Sequence, residues 1–367
     1  MLTYFQQGRP GVAQAIRDSL TEFSPRLAAV SPMGEQWASR LNAYAQSGKM
    51  IRGMLVRLGY ELCATEAPDA AMVRVLDRAG AAMEFFQAGL LIHDDIMDRD
   101  TLRRGGGTVH TQYEQDALKD ATADPAHHGL SLGMCAGDIA FFLGFHMLAA
   151  LPLPPEAQDR ARRVTAFSGE ELCWVGVAQM QDVQNGAGGG GADPSPEHIL
   201  RLYRYKTGRY TFAMPLMVGA MLANTPPEPL KALEQAGETL GVVFQLKDDE
   251  LGIFGETDQL GKRAGSDIRE NKKTLLRHFL FAAAADPLRA DLQQIFGAAN
   301  LDEAGCRFVR EAMEQTGARA KLRDTMTRYA QEASAHIAHM DAPPGACAAA
   351  ARAVFAELTR YSIDRNA

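Results

Sequence analysis

The stretch Leu90-Leu-Ile-His-Asp-Asp-Ile-Met-Asp-Arg-Asp100 constrains this chain more than any other. Asp94, Asp95 and Asp98 close a segment that is otherwise apolar or small from near Ala79, interrupted mainly by Glu84 and Gln87, and the run from Met72 to Met97 reads as one long helix. At about 100° per residue, Asp94 and Asp98 lie one above the other with Asp95 beside them. Three negative charges therefore crowd a helix C-terminus whose macrodipole is already negative. Water or bound cations must relieve that repulsion. A solvated acidic helix end would meet the need as well as a binding site would, so the rest of the chain has to decide.

Hydrophobic residues are 46% and charged residues 23% of the 367, close to a soluble globular balance, and no apolar run reaches the length of a membrane span. The length allows two ordinary domains or one large one, with ample core for either. The opening Met1-Leu-Thr-Tyr-Phe-Gln-Gln-Gly-Arg lacks the basic and then apolar layout of a secretory signal, which predicts a cytoplasmic protein without stable membrane insertion. Cys63, Cys135, Cys173, Cys306 and Cys347 are scattered without CxxC spacing and read as buried thiols rather than disulfides or zinc ligands. A net charge of −7 argues against nucleic acid as the main partner.

Apolar residues at helical spacing fill 11–30 and 35–62, and the second window contains Ser47-Gly-Lys-Met-Ile-Arg52, where Lys49 and Arg52 would share a helical face. After the acidic helix, Arg103-Arg-Gly-Gly-Gly107 reads as a basic, flexible loop suited to wrapping an anion. Residues 116–129 read as a polar surface loop, and the adjacent His127 and His128 lack the further ligands of a metal site. Helices follow over 129–151 and 156–182, the second running into Gln179-Met-Gln-Asp182. The glycine-rich stretch near 185–196 is a flexible loop without a phosphate-loop signature. Pro196 to Asn224 reads as a helix bent or interrupted near Pro215, with Lys206-Thr-Gly-Arg-Tyr-Thr211 inside it. Another apolar helix runs from Leu230 to Phe244-Gln-Leu-Lys-Asp-Asp-Glu-Leu-Gly252. A polar, lysine-rich loop over 255–274 precedes amphipathic, alanine-rich windows at 275–300, 302–334 and 345–362. Alternating strands and Rossmann-like units are absent, so the predicted architecture is all-α, a large single-domain bundle around a central apolar cavity.

Asp248-Asp249 repeats, at the end of a second apolar helix, what Asp94-Asp95 does at the end of the first. If the helices face one another, their carboxylates meet at one end of the cavity. Such oxygen ligands suit Mg²⁺, which usually keeps several waters and shares its coordination with substrate phosphates. Lys49, Arg52, Arg103, Arg104, Lys206, Lys262 and Lys272 all occur in short motifs near predicted helix ends. Carboxylates with these cations suggest a diphosphate held through metal, and the cavity suggests a hydrocarbon tail. The predicted step is metal-assisted departure of the diphosphate from an amphiphile.

In these motifs the chain resembles the trans-isoprenyl diphosphate synthases, or polyprenyl synthetases, and most of all those making geranylgeranyl or farnesyl diphosphate. The motifs are Gly48-Lys49-x-x-Arg52, Asp94-Asp95-x-x-Asp98 followed by Arg103-Arg104-Gly105, Gln179-x-x-Asp182, Lys206-Thr207, Phe244-Gln245-x-x-Asp248-Asp249, and Gly261-Lys262 with Asp267 and Lys272. The resemblance implies an isoprenoid-synthase-type helical fold, a homodimer, and three Mg²⁺ ions bound with an allylic diphosphate. It implies that Asp94, Asp98 and Asp248 bind the metal with Asp95, Asp249 and Asp182 assisting, and that Arg103, Lys206 and Lys262 grip the allylic diphosphate. Lys49, Arg52, Gln87 and Arg104 would bind isopentenyl diphosphate, with Lys272 also substrate-binding. Lys206, Thr207 and Gln245 would stabilise an allylic carbocation, which the alkene of isopentenyl diphosphate attacks in a 1'-4 head-to-tail condensation. The departing diphosphate takes the proton.

Two departures from the family pattern stand out. Gln87 replaces a histidine common in bacterial members, and Gly252 stands where the second motif usually has its third aspartate. The latter would weaken one metal site or mark a non-catalytic partner subunit, although the retained motifs favour an active enzyme. For product length, Gly89 and Leu90, five and four positions before Asp94, carry no aromatic group, which in this family leaves the tail pocket open at that level. Phe86, roughly 12 Å down the helix axis from Asp94, is the next candidate floor or else an ordinary core aromatic. The expected product is C20, geranylgeranyl diphosphate, with C15 or C25 and longer as alternatives. A terpene cyclase would share the fold and the first motif but would not need Lys49, Arg52 and Gln87.

Overall fold

The computed structural model describes residues 3–103, 105–186, 193–255, 265–298, 300–341 and 345–365. Within them the chain forms α1 (Thr3–Ala28), α2 (Met33–Gln46), α3 (Ile51–Cys63), α4 (Ala70–Met97), α5 (Val109–Lys119), α6 (Pro125–Ala149) and α7 (Gln158–Gly186). There follow α8 (Pro196–Tyr203), a π-helix (Arg204–Ala213), α9 (Met214–Leu222), α10 (Pro227–Phe254), α11 (Ser266–Arg269), α12 (Leu275–Ala283), α13 (Leu288–Ile295), α14 (Glu303–Gln315), α15 (Ala318–Ala338) and α16 (Ala346–Asp364). The all-α expectation holds: the sheet among the described residues is one hairpin, β1 (Leu102–Arg103) with β2 (Gly106–Gly107), Arg103 lying opposite Gly106.

Short polar side chains start several helices by accepting an otherwise orphaned N–H. Asp69 accepts from Met72 ahead of α4, Asp124 from His127 ahead of α6, Ser195 from His198 ahead of α8, and Asp302 from Gly305 ahead of α14. A proline follows the cap in α6 and α8, where its missing N–H costs nothing.

The structure differs from the sequence expectations in several places. The window 35–62 breaks before α3, where Met50 takes a φ of 53°, so Lys49 sits in the connection and not on the helical face of Arg52. Most of 116–129 is helical, because α5 runs to Lys119 and α6 begins at Pro125. The helix read over 196–224 is interrupted just before Pro215, and the interruption takes the form of the π-helix that gives way to α9 at Met214. Finally, α6 is long and apolar enough to cross a membrane by length and composition alone, and nearly half of its most apolar stretch is buried inside the protein.

The chain packs into two compact units. Unit 1 comprises Met1–Glu170, Pro215–Leu230 and Asp341–Val354, and unit 2 comprises Glu171–Met214, Lys231–Met340 and Phe355–Ala367. In unit 1, α4 packs against α6, α3 and α1, and it is buried almost without interruption from Ala79 to Gly89. Phe85 and Phe86 are fully buried, each contributing about 1.5–3 kcal/mol relative to exposure. Glu84, also buried, accepts the Gly53 N–H at 2.8 Å and ties α4 to the first turn of α3. In unit 2, α10 buries Leu233, Leu240, Val243 and Leu246, while α12 packs on α15.

Candidate active site

In unit 1, α4 ends with Asp98 as its C-cap. The helical rotation between neighbours turns Asp95 inward, with no exposed surface, and leaves Asp94 and Asp98 partly exposed. A buried carboxylate needs donors. Arg103 Nε of β1 donates to one oxygen of Asp95, and Tyr44 Oη of α2 to the other at 3.3 Å. Burial nevertheless pushes the Asp95 carboxyl up to about 6, against the pull of Arg103. Arg103 also lies 3.4 Å from Asp100, so the expected loose basic loop is a hairpin fastened to the end of α4. Arg104 lies outside the described residues.

Lys49 is exposed in the α2–α3 connection, and Arg52 opens α3 beside the anchor supplied by Glu84. Gln87 is buried on α4, and its Oε1 has no hydrogen-bond partner. Such an orphan usually marks where a ligand or water belongs, and either end of the amide can serve it.

Of the residues expected to set chain length, Gly89 and Phe86 face α6. A Cβ at Gly89 would lie 3.0 Å from the Gly137 carbonyl and from the Phe141 ring, so the glycine admits a close helix contact rather than leaving space open. Phe86 has no exposed surface, its ring is 4.8 Å from that of Phe145, and a Cβ at Gly144 would lie 2.6 Å from it. Leu90 is partly exposed.

In unit 2, the π-helix carries Lys206 and Thr207. Lys206 pairs with Asp182 of α7, and Thr207 Oγ1 donates to Gln245 Oε1 at 2.7 Å. Gln245 then donates to Asp249 at 2.9 Å, and Tyr203 Oη donates to the other Asp249 oxygen while accepting the Leu275 N–H at 3.1 Å. Asp249 is only 4% exposed. Burial, then the charge of Asp267, lifts its carboxyl to about 8, with Tyr203 and Gln245 opposing. Asp248, 44% exposed, is held differently: Arg365 donates to it at 2.6 Å and to the Phe244 carbonyl at 2.9 Å, its guanidinium lying 3.6 Å from the Phe244 ring centre. Each aspartate pair therefore has an inward and an outward member.

A Cβ at Gly252 would lie 2.6 Å from Asp267 Oδ2. The carboxylate missing from position 252 is thus matched by one arriving from α11, with Lys272 3.9 Å from it. Lys262 and Gly261 lie outside the described residues, as do 187–192 of the glycine-rich loop. Sequence reasoning overlooked Arg365, Tyr203 and Glu250. Glu250 is fully enclosed next to the aspartate pair and receives Lys247 at 2.8 Å, Arg319 at 2.8 Å and Arg323 at 2.7 Å. Its place in the run Asp-Asp-Glu was the available signal.

Among the described residues, no group of three or more His, Cys, Asp or Glu could hold an ion by itself. The outward carboxylates Asp94, Asp98 and Asp248 are oxygen donors of the type that Mg²⁺ accepts in small number alongside phosphate oxygens and water. The donor chemistry fits that ion.

A helical protein with such outward acids and basic side chains nearby is built to handle a polyanion. The chain matches the polyprenyl synthetase family over residues 35–313. It is 29% identical over 267 residues to a short chain isoprenyl diphosphate synthase of Methanocaldococcus jannaschii, covering 73% of this chain and 72% of the relative. It is 27% identical over 328 residues to a nonaprenyl diphosphate synthase of Mycobacterium tuberculosis, covering 89% and 86%. A crystal structure of geranylgeranyl pyrophosphate synthase from Corynebacterium glutamicum, complexed with isoprenyl diphosphate and magnesium, superposes with a TM-score of 0.86 at 28% identity, covering 99% of this chain and all of the other. The chain belongs to the polyprenyl synthetase family and is a prenyltransferase of the isoprenyl diphosphate synthase type.

Glu250 generates a stability prediction. Burial raises its carboxyl, but the hydrogen bonds from Lys247, Arg319 and Arg323 outweigh that and hold it at about 2. A carboxyl depressed on folding stabilises the protein above its unfolded range, near pH 4.5, and that share is lost as pH falls toward 2. Glu250→Gln takes the shared carboxylate from Lys247, Arg319 and Arg323, with Arg319 keeping Glu314 at 2.6 Å, and costs about 3 kcal/mol at pH 7 in urea unfolding, less whatever solvent screens at the half-exposed Arg323. The gap from the parent protein should shrink below pH 4; a gap independent of pH would contradict this account.

Proposed function

We propose that this enzyme condenses isopentenyl diphosphate with dimethylallyl, geranyl and farnesyl diphosphates by the 1'-4 head-to-tail route and stops at the C20 product, geranylgeranyl diphosphate. The observation that carries the reading is the division within each aspartate pair. Asp95 and Asp249 are buried against donors inside the protein, whereas Asp94, Asp98 and Asp248 are partly exposed, Asp248 also accepting from Arg365.

In this reading Asp94, Asp98 and Asp248 hold Mg²⁺ with the allylic diphosphate, three ions in all, and Asp267 makes up for the carboxylate absent at Gly252. The ions supply positive charge to the diphosphate oxygens when bound. Arg103, Lys206 and Lys262 add theirs to the charge that builds as the allylic C–O bond breaks. Asp182 orients Lys206 for that task, and Asp95 orients Arg103. Lys49, Arg52 and Arg104 bind isopentenyl diphosphate, Lys272 also binds substrate, and Gln87 donates an amide hydrogen bond to the isopentenyl diphosphate. The Thr207–Gln245–Asp249 chain fixes an amide dipole for the allylic carbocation. The alkene attacks, the new bond forms, and the proton leaves to the departing diphosphate. Apolar surroundings exclude water that would otherwise capture the cation.

The C20 product draws support from the geranylgeranyl synthase resemblance and from the way Phe86 closes the α4–α6 seam. The nonaprenyl relative keeps longer products among the outcomes of the test. We read residues 1–367 as one catalytic domain of a cytoplasmic homodimer. Support for the dimer comes from α6, which exposes Phe142 at 69% and Met134 at 47%, apolar area that a second copy would cover. A monomer mass by light scattering would oppose it.

The test uses purified protein with Mg²⁺, labelled isopentenyl diphosphate and each of the C5, C10 and C15 primers, with products resolved by chromatography. Elongation to C20 is expected. No elongation from any primer would defeat the synthase reading, and a cyclic hydrocarbon would favour a terpene cyclase. Phe86→Ala opens room beside Gly144 and Phe145 and should lengthen the product; an unchanged product distribution would remove Phe86 from that role.

A further inference from the structure

The π-helix of unit 2 spans ten residues. π-Structure mostly occurs as single turns, so this one needs something to hold it. Its register on α10 is continuous and antiparallel. Tyr203 meets Asp249, Thr207 meets Gln245, Gly208 and Gly241 touch backbone to backbone, Arg209 meets Glu238 and Glu234, and Gly237 faces Ala213. On α10 the residues Glu234, Glu238, Gly241, Gln245 and Asp249 recur every three or four positions, so they share one helical face. That face joins the chemistry at one end to an ionic cluster at the other.

Arg209 is the centre of the cluster. Its Nε and Nη2 form a two-pronged pair with Glu171 at 2.9 and 2.6 Å, Nη2 also reaches Glu234 at 2.7 Å, and Nη1 donates to Glu238. Trp174 of α7 stacks on the guanidinium at 4.4 Å. The side chains of Arg209 and Glu171 are 6% and 0% exposed. One cation among three carboxylates leaves a net negative cluster, partly offset by Arg204 at 3.4 Å from Glu238. Without Arg209, the carboxylates of α7 and α10 would repel with little water to screen them. A lysine would restore the charge but not the planar fork that engages three partners.

We propose that Arg209 is a positioning residue for catalysis. Gripped by Glu171, Glu234 and Glu238, it locks the π-helix in one register on α10 and so holds Lys206 at Asp182 and Thr207 at Gln245. The consequence for turnover rests on the prenyltransferase reading; the consequence for the π-helix does not.

The experiment compares the parent protein with Arg209→Gln, Arg209→Lys and Glu171→Gln in two measurements, amide hydrogen exchange by mass spectrometry and steady-state kinetics with Mg²⁺, isopentenyl diphosphate and geranyl diphosphate. Arg209→Gln should exchange faster in 204–213 and lose about 10²-fold in kcat, the usual result of displacing a catalytic group by about 1 Å, with the KM for isopentenyl diphosphate unchanged. Arg209→Lys should fall between it and the parent. If Arg209→Gln does not fold, Glu171→Gln decides, because it keeps the cation and removes one two-pronged partner; faster exchange in 204–213 with lower kcat is again expected. Parental exchange in 204–213, or a kcat within about twofold of the parent, would overturn the proposal, since displaced catalytic groups cost far more than that. An inactive parent would refute the prenyltransferase reading instead, and the exchange data would still judge the role of Arg209.

Discussion

Asp249 has almost no contact with water, and a carboxylate taken out of water is tolerable only where donors replace its hydration shell. Gln245 of the same helix and Tyr203, the last residue of α8, supply them, and Tyr203 is itself fixed by the Leu275 N–H at the start of α12. Three elements of unit 2 are thereby tied to one oxygen pair. With Asp249 turned in, the helical rotation of about 100° per residue leaves Asp248 pointing elsewhere, with much of its side chain exposed. Asp95 does the same in unit 1 with Arg103 and Tyr44 as donors. The inward acids fix the helix ends, and the outward acids are what those ends present.

A second regularity follows from the first. Several acids near these helix ends have a basic neighbour: Arg103 at Asp95, Lys206 at Asp182, Arg365 at Asp248 and Lys272 near Asp267. Carboxylates gathered for a divalent cation would otherwise push their own scaffold apart. Glu250 inverts this arrangement, one acid steadying three cations, and it clamps the stretch of α10 next to the aspartate pair.

Periodicity made the helices legible, because a long apolar stripe at helical spacing has few alternatives in a chain without strand patterns. The helix expected from Met72 to Met97 is observed as Ala70–Met97, with Asp69 as the cap that sets its start. Breaks were less legible. Met50 adopts a positive φ that no residue preference announces, and Pro215 marked an interruption whose π-helical form it could not announce. The π-helix was invisible because its register is imposed by α10 and by Arg209, contacts distant in sequence. For the site, residue types and spacing singled out both aspartate pairs, yet could not tell Asp94 from Asp95 or Asp248 from Asp249. That depends on which side of each helix is packed. Likewise Gly252 read as a loss, since Asp267, which fills the same space, arrives from another element.

The central claim is that inward and outward aspartates have different work. Calorimetric titration of geranyl diphosphate at saturating Mg²⁺, set beside the melting temperature of each metal-free protein, compares Asp248→Asn with Asp249→Asn most directly. The account predicts that Asp248→Asn loses the Mg²⁺-dependent part of the binding and shifts its melting temperature less than Asp249→Asn does, because Arg365 keeps the Phe244 carbonyl at 2.9 Å, while Asp249→Asn keeps most of the binding and lowers its melting temperature more. The reverse pattern, with Asp249→Asn abolishing metal-dependent binding and Asp248→Asn retaining it, would contradict the account.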